Sequence, residues 1–226
     1  MNLDQKIKKE LINLPIWLSD KVELWLVLKD LKLATELIVK ETIFNTEERT
    51  MRVREKNLQQ VTNFVKKVGL LYRVRDQYNP GWKKIKIQGK FMKTDIVFCR
   101  KIVLVAKVQE FIDELYWCQT TLDRFSEKLD RLMGKLSGFP PAAVEEYARN
   151  MKDFDKKGFP KTLVGIAEFQ AKYKDKYWEP YVRYFVRRGH EEEDCLPAIK
   201  WADVIRGDLP QLAEKFEKKL RKAKVR

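Results

Sequence analysis

The apolar side chains at the start of the chain recur at the spacing of an α-helix. Between Leu3 and Leu14 they fall three or four positions apart among lysines, and the run stops at Pro15, because proline lacks the N–H that a helix needs. Ser19 and Asp20 then offer N-caps to a dense apolar stretch. We therefore predict one short helix, followed by one or two buried helices that reach Lys40.

A further helical pattern has a clear end. Thr46–Arg49 resembles a helix start, and an apolar stripe runs from Leu58 to Val68 and meets Gly69. Glycine tolerates the left-handed backbone that often follows a helix. The helix is therefore predicted to end at Gly69.

The period changes to two after Gly69, which is typical of β-strands. Apolar and polar residues alternate over 70–75 and again over 84–87, and residues 76–81 between them are rich in turn formers. A β-branched run within 95–105 supplies a third strand. The pattern predicts a small antiparallel sheet.

The helical period returns from Lys107. It stops at Gly138, restarts at Pro140–Pro141, and closes with an amphipathic helix over Leu209–Lys222. Aromatic residues between Tyr173 and Phe185 also follow helical spacing. That spacing favours a buried helix face.

The two patterns together predict the α+β class, mostly helical with a small central antiparallel β-sheet over about residues 70–105. No repeat or low-complexity linker divides the chain, so residues 1–226 are expected to form a single domain. An alternative division places N-terminal helices and a winged-helix-like hairpin in 1–105, and a helical half in 106–226.

Composition adds a strong positive charge. The 226 residues are 44% hydrophobic and include 47 Lys and Arg against 33 Asp and Glu, a net charge of +14. A surplus of this size favours a polyanion as partner, such as nucleic acid, an anionic membrane or an acidic protein. A lysine-rich surface of the kind found in thermophiles gives the same balance without a partner.

The N-terminus and the cysteines indicate a cytoplasmic protein. Residues 1–6 lack the pattern of a secretory signal, and the apolar runs are far shorter than the roughly 18 residues of a membrane span. Cys99, Cys118 and Cys195 are widely spaced and odd in number, which is typical of reduced, buried thiols. We expect no membrane partner and no cofactor.

The charge is concentrated in residues 66–107. This segment holds twelve Lys and Arg against Asp76 and Asp95, and so ten of the fourteen net charges. Aromatic residues stand among the basic ones at Tyr72, Tyr78, Trp82, Phe91 and Phe98. Basic side chains bind phosphates and aromatic rings stack on bases, so the combination favours nucleic acid.

The order helix, glycine, strand, basic turn and strand is also that of a winged helix-turn-helix. In this interpretation the helix over Leu58–Val68 enters a DNA groove and the Tyr78–Lys84 turn is the wing. The candidate nucleic-acid-binding residues are basic or aromatic: Lys66, Lys67, Arg73, Arg75, Trp82, Lys83, Lys84, Lys86 and Lys90. The leading prediction is a non-enzymatic, DNA-binding protein, with no catalytic residue and no metal ligand assigned.

Two other functions are compatible with the sequence. The lysines can form a solvated face over core aromatics or dock an acidic partner, which would make this a structural or interaction protein. A metal-dependent nuclease would require the fold to gather carboxylates such as Glu145, Glu146, Asp153 and Asp155. The motifs of phosphate-binding loops, serine hydrolases and zinc proteases are missing from the sequence.

His190 and Cys195 stand on either side of four acidic residues, which suggests a metal site at first sight. A single histidine does not supply the usual ligand set. We interpret this stretch as a solvated loop in which acidic and basic side chains pair with each other.

The run Arg131–Tyr147 joins two predicted helices through Gly138 and a pair of prolines. It resembles the motif of an uncharacterised, mainly archaeal domain-of-unknown-function family, in which a helix ends in Leu-Gly-Tyr-Pro and a pair of cysteines follows. Those cysteines fall where this chain has Ala142 and Ala143, and alanine is neither a ligand nor a nucleophile. The resemblance implies packing, with Tyr147 in the core, and an archaeal source, which agrees with the thermophile-like composition.

Overall fold

The α+β class is confirmed by a computed structural model, which describes residues 3–45, 47, 49–87, 90–121, 126–151 and 158–224. The chain divides into two compact units. Met1–Leu24 and Glu36–Ile112 form the first unit, and Trp25–Thr35 and Asp113–Arg226 form the second.

The elements in the described ranges are five β-strands, nine α-helices and one 3-10 helix. The first half contains α1 (Leu3–Asn13), α2 (Leu18–Leu28), β1 (Ala34–Ile38), β2 (Glu41–Asn45), β3 (Thr50–Val53), α3 (Glu55–Lys67), β4 (Leu71–Ile87) and β5 (Lys90–Ala106). The second half contains α4 (Gln109–Thr120), α5 (Glu127–Leu136), α6 (Pro141–Met151), α7 (Ile166–Tyr173), the 3-10 helix (Glu179–Tyr181), α8 (Glu191–Asp208) and α9 (Pro210–Lys224). No helix in these ranges is both long enough and apolar enough to cross a bilayer.

The central strand of the sheet is β5. β4 pairs antiparallel with it along its whole length, from Leu71 opposite Ala106 to Ile87 opposite Lys90. The strand order is β1-β5-β3-β2, with β3 parallel to β5 and β2 antiparallel to β3. The predicted antiparallel hairpin is therefore present, but the sheet is mixed and extends beyond residues 70–105.

The two ends of β5 differ in their surroundings. Residues Ile102 to Ala106 expose at most 1% of their surface, so both faces of the sheet are covered there. Towards the other end, residues 90–96 pair with β4 alone among the described strands. We call the pairs from Gly81–Ile96 to Ile87–Lys90 the distal ribbon.

The predicted turn at residues 76–81 is wrong, because these residues lie within β4. Pro80 has no N–H to donate, but proline is accepted where one edge of a strand is unpaired, and β5 is the one strand paired with β4 in the described part. A Cβ at Gly81 would overlap the ring of Phe98 on β5. Glycine is thus needed there for close packing, and the predicted wing at Tyr78–Lys84 does not form.

The helix predicted up to Lys40 is also wrong, because the chain leaves α2 at Asp30. Asp30 adopts a φ of 59°, and the Leu31 N–H donates to the carbonyl of Leu26 at 2.9 Å. This is the hydrogen bond of a Schellman motif, formed here without glycine. The chain then enters β1 over Ala34–Ile38.

Two more predictions of helix are corrected. The helix start at Thr46–Arg49 is wrong, since β3 follows and α3 begins at Glu55; Thr46 and Glu48 lie outside the described residues. The aromatic stretch Tyr173–Phe185 is not a helix, apart from the end of α7 and one 3-10 turn. The prediction that these aromatic residues pack in the core is confirmed for Tyr181, which is 2% exposed.

Glycine ends two helices as predicted. Gly69 follows α3 with a φ of 75°, and Gly138 follows α5 with a φ of 68°. α6 then begins at Pro141, which confirms the predicted restart. Tyr147 is half-buried and stacks on Phe185 with ring centroids 5.4 Å apart.

Gly138→Ala tests how strongly the end of α5 depends on glycine. A side chain in the left-handed region costs about 1–2 kcal/mol, and a Cβ at this position would lie 2.7 Å from the backbone oxygen of Leu31. Gly158→Ala is the matched control, because Gly158 has a φ of 71° and nothing within 4 Å of its Cβ position.

We expect urea unfolding to show that Gly138→Ala loses at least about 1 kcal/mol more than Gly158→Ala, since the clash with a backbone atom adds to the strain. Equal losses from the two substitutions would contradict this account of the α5 end.

Candidate nucleic-acid interface

One face of the β4–β5 pair is open to solvent. Side chains alternate between the faces of a strand, and residues opposite each other share a face. The even-numbered residues of β4 from Tyr78 to Lys86 therefore share a face with the odd-numbered residues of β5 from Phe91 to Cys99. We call this set of residues the open face.

Exposure distinguishes the open face from the opposite one. Tyr78 is 66% exposed and its diagonal neighbour Val97 is 39% exposed, and Pro80 and Lys93 are exposed as well. On the opposite face Ile96 is only 3% exposed. An exposed aromatic ring on a strand without a covering element is available for contact with a partner.

The open face carries three lysines, Lys84, Lys86 and Lys93, and one acid, Asp95. Lys84 is directly opposite Lys93, and Lys86 is opposite Phe91. Like charges in opposite positions destabilise a ribbon. Residues 81–96 contain five lysines and one acid, Asp95, so the distal ribbon carries a net positive charge.

Nine residues were predicted to bind nucleic acid, and the register divides those in the strands into two groups. Trp82, Lys84 and Lys86 belong to the open face, whereas Lys83 and Lys90 belong to the opposite one. The backbone of these five residues is described, and their side chains are not.

Arg73 and Arg75 also belong to the face opposite Tyr78. Arg73 is exposed, and Arg75 is half-buried. Burial raises the pKa of the Glu36 carboxyl, and the charge of Arg75 opposes that effect. Arg75 thus favours the ionised form of Glu36 in the same unit, a role that its position in the sequence did not indicate.

Lys66 and Lys67 lie at the end of α3, away from the ribbon in the sequence. Lys66 is exposed, and its Nζ lies 5.6 Å from the centroid of the Tyr72 ring. Lys67 donates to both carboxylate oxygens of Glu10 at 2.6 Å. The charge of Lys67 is therefore largely neutralised within the first unit.

The outer face of α3 is polar. Its exposed residues are Glu55, Lys56, Gln59, Gln60, Asn63, Lys66 and Lys67. A groove of about 500 Å³ lies between this helix and α1, and Glu10 lines it. Lys6, Lys9 and Lys67 also line the groove, so it carries a net positive charge. The Phe64 ring in its lining is only 4% exposed, whereas Tyr78 is 66% exposed, so the open face is the better candidate for a site at which bases stack.

Tyr78 and Lys93 join the candidate site although neither was assigned to it. Their relation depends on the pairing of β4 with β5, and reading residues 76–81 as a turn places them in unrelated positions. If residues 76–84 are taken as one strand, Tyr78, Pro80, Trp82 and Lys84 alternate with their neighbours and share a face. That pattern could have assigned Tyr78 to the site.

The residues considered for metal or nuclease chemistry have other partners. In the described part of the chain, no group of three His, Cys, Asp or Glu side chains could hold a metal ion. Glu145 accepts from Arg131 Nε at 2.9 Å, and Glu146 accepts from Asn150 at 2.9 Å. Asp153 and Asp155 lie outside the described residues.

The stretch after His190 is the first turn of α8 and not a loop. Asp194 is fully buried, and its carboxylate accepts from the guanidinium of Arg187 at 2.8 Å. Glu193 lies 2.9 Å from the same guanidinium and 3.4 Å from His190 Nδ1. The predicted pairing of acidic and basic side chains is confirmed, and it fixes the start of the helix.

Burial keeps the two cysteine thiols of the second unit protonated. Burial raises the pKa of the Cys118 thiol to about 11 and that of Cys195 to about 12. Both thiols are protonated at neutral pH and are poor nucleophiles. Their packing role agrees with the sequence prediction.

Comparison with known proteins assigns no relative: no protein-family model, no curated protein and no solved structure matches the chain.

Glu36→Gln tests whether burial raises the pKa of the Glu36 carboxyl. Because the pKa of Glu36 is raised in the folded state, its contribution to stability is full below the unfolded value of 4.5 and is lost as the pH rises through the folded value. The variant should therefore gain stability over the wild type as the pH rises from about 4.5 to about 7.

Urea denaturation at both pH values measures this gain. Glu55→Gln, at an exposed position of α3, is the control and should follow the wild type. Parallel pH profiles for Glu36→Gln and the wild type would show that Glu36 does not carry a raised pKa.

Proposed function

We propose that this protein binds nucleic acid, and single strands more tightly than duplex, through the open face of the β4–β5 pair. The observation that carries the proposal is the register, which brings the 66% exposed Tyr78 and the opposed Lys84 and Lys93 to one face. Proteins that bind single strands combine stacking rings with a positive surface that follows the phosphates.

The energetics of the ribbon support a polyanion as the partner. Lys84 and Lys93 stand opposite each other in the register, so a phosphate near this pair would be attracted by both charges. Each phosphate neutralised by a lysine also releases counterions, which favours binding most strongly at low salt. The proposed complex is therefore held by charge at the distal ribbon and by stacking nearer its base.

The exposed ring distinguishes nucleic acid from an acidic protein as the partner. Lysines alone serve both partners equally, but a ring that is 66% exposed beside Pro80 and Val97 offers a flat surface on which an unpaired base can stack. Stacking accepts every base, so the binding is expected to depend little on sequence. In a duplex the bases are already stacked on each other, which favours the single strand.

The double variant Lys84→Gln/Lys93→Gln tests the contribution of charge. Removing two phosphate contacts should reduce the slope of log affinity against log salt by about 1.4 for a single strand. Fluorescence anisotropy with a labelled oligothymidine at several salt concentrations measures the slope.

The control is Lys200→Gln/Lys218→Gln, which removes the same net charge at exposed positions of α8 and α9. Equal slopes for the two double variants would mean that only the total charge of the protein matters, and the proposed interface would be wrong.

Tyr78→Ala tests the contribution of stacking. Loss of the ring should weaken oligothymidine binding by about 1–3 kcal/mol, while duplex binding changes less. Tyr78→Phe keeps the ring and should bind as the wild type does. If alanine and phenylalanine at this position bind a single strand equally well, stacking on Tyr78 is excluded.

A further inference from the structure

A pocket of about 220 Å³ lies in the second unit among α5, α6 and residues 183–185. Aromatic rings form much of its wall: Phe139, Tyr147, Tyr184 and Phe185. The rings are held in pairs, with Tyr147 stacked on Phe185 at 5.4 Å and 10°, and Phe139 tilted against Tyr184 at 4.8 Å. The faces of such rings carry partial negative charge and attract cations.

Asp130 adds a carboxyl group to the same wall. Burial raises the pKa of its carboxyl, and the charge of Asp130 in turn contributes to the raised pKa of Tyr147. The neighbouring guanidinium of Arg131 lies 2.8 Å from Glu127 and 2.9 Å from Glu145. The cation beside Asp130 is thus already shared between two other carboxylates.

We propose that this pocket binds a small organic cation, with an ammonium group beside Asp130 and an apolar body between the rings. A carboxylate in apolar surroundings is stabilised by a positive partner, and aromatic faces attract a cation more strongly once it is removed from water. This inference is independent of the nucleic-acid interface, which lies in the first unit.

The size and the edge of the pocket limit the ligand. At about 30 Å³ for each water in the liquid, the volume corresponds to roughly seven waters, which suits an amine with one ring or a short alkyl chain. Arg183 also lines the pocket but is exposed. Water and salt screen its charge more than that of Asp130, so the pocket keeps its preference for a cation.

Calorimetric titration of the full chain with benzylamine, benzyltrimethylammonium and benzyl alcohol tests the proposal. All three probes carry the same ring, and only the first two carry a positive charge. We expect both cations to bind at least about tenfold more tightly than the alcohol, because a contact to an ionised, half-buried group is strong. Binding should weaken as the pH falls and Asp130 becomes protonated.

Asp130→Asn identifies the group responsible. The variant should bind benzylamine at least about tenfold more weakly than the wild type and bind the alcohol equally well. Because burial disfavours the ionised form of Asp130, the asparagine variant should also unfold at a temperature no lower than the wild type near neutral pH. Loss of binding is then distinguished from loss of folding.

Glu214→Gln is the control. It removes an acid at an exposed position of α9 in the same unit, outside the pocket lining, and should leave benzylamine binding unchanged. The proposal is overturned if no cation binds, if the alcohol binds as tightly as the amine, or if Asp130→Asn binds benzylamine as the wild type does.

Discussion

The pairing of β4 with β5 is the constraint on which the first unit depends. Seventeen consecutive pairs join the two strands, and their register decides which side chains share a face. A slip of one residue would exchange the faces of one strand relative to the other, so Tyr78 and Lys84 on β4 would no longer share a face with Lys93 on β5. The buried end of β5, from Ile102 to Ala106, prevents such a slip, because it would also bring polar residues of β4 into the core.

Local signals predicted the ends of several helices but not the course of the sheet. Gly69 and Gly138 were found from sequence because glycine readily adopts the left-handed backbone at a helix end. Asp30 does the same at the end of α2, and no composition rule selects it over the neighbouring polar residues. The strand after it was missed for that reason.

The largest error concerned Pro80 and Gly81, whose local preference is for a turn. Their actual positions depend on features that are distant in sequence. Pro80 is tolerated because β4 pairs with β5 alone among the described strands, and Gly81 is needed because the Phe98 ring packs against it. The candidate site was therefore predicted in its charge and not in its geometry. Lysines and aromatics could be counted from the sequence, but their distribution between two faces requires the register.

Two kinds of charged group stand out among the described residues. Asp194 is buried and pairs with the partly buried Arg187 at 2.8 Å, and Glu217 pairs with the exposed Arg206 at 2.8 Å; the second pair links α8 to α9. Asp130 among aromatic rings is placed at some cost to stability, and Lys84 stands opposite Lys93 in the register of the ribbon. Groups of the second kind are where a partner or ligand would stabilise the protein most, and both proposed sites are built on them.

The most direct test of the central claim is to remove the distal ribbon while keeping the sheet. Lys83 and Thr94 are opposite each other and form the same type of pair as Ile87 and Lys90, so a two-residue Asn-Gly turn can replace residues 84–93 without changing the remaining register. Anisotropy with labelled oligothymidine should show salt-dependent binding by the full chain and its loss in the shortened chain, with thermal unfolding unchanged. Equal affinity and equal salt dependence in the two chains would contradict the assignment of nucleic-acid binding to the ribbon.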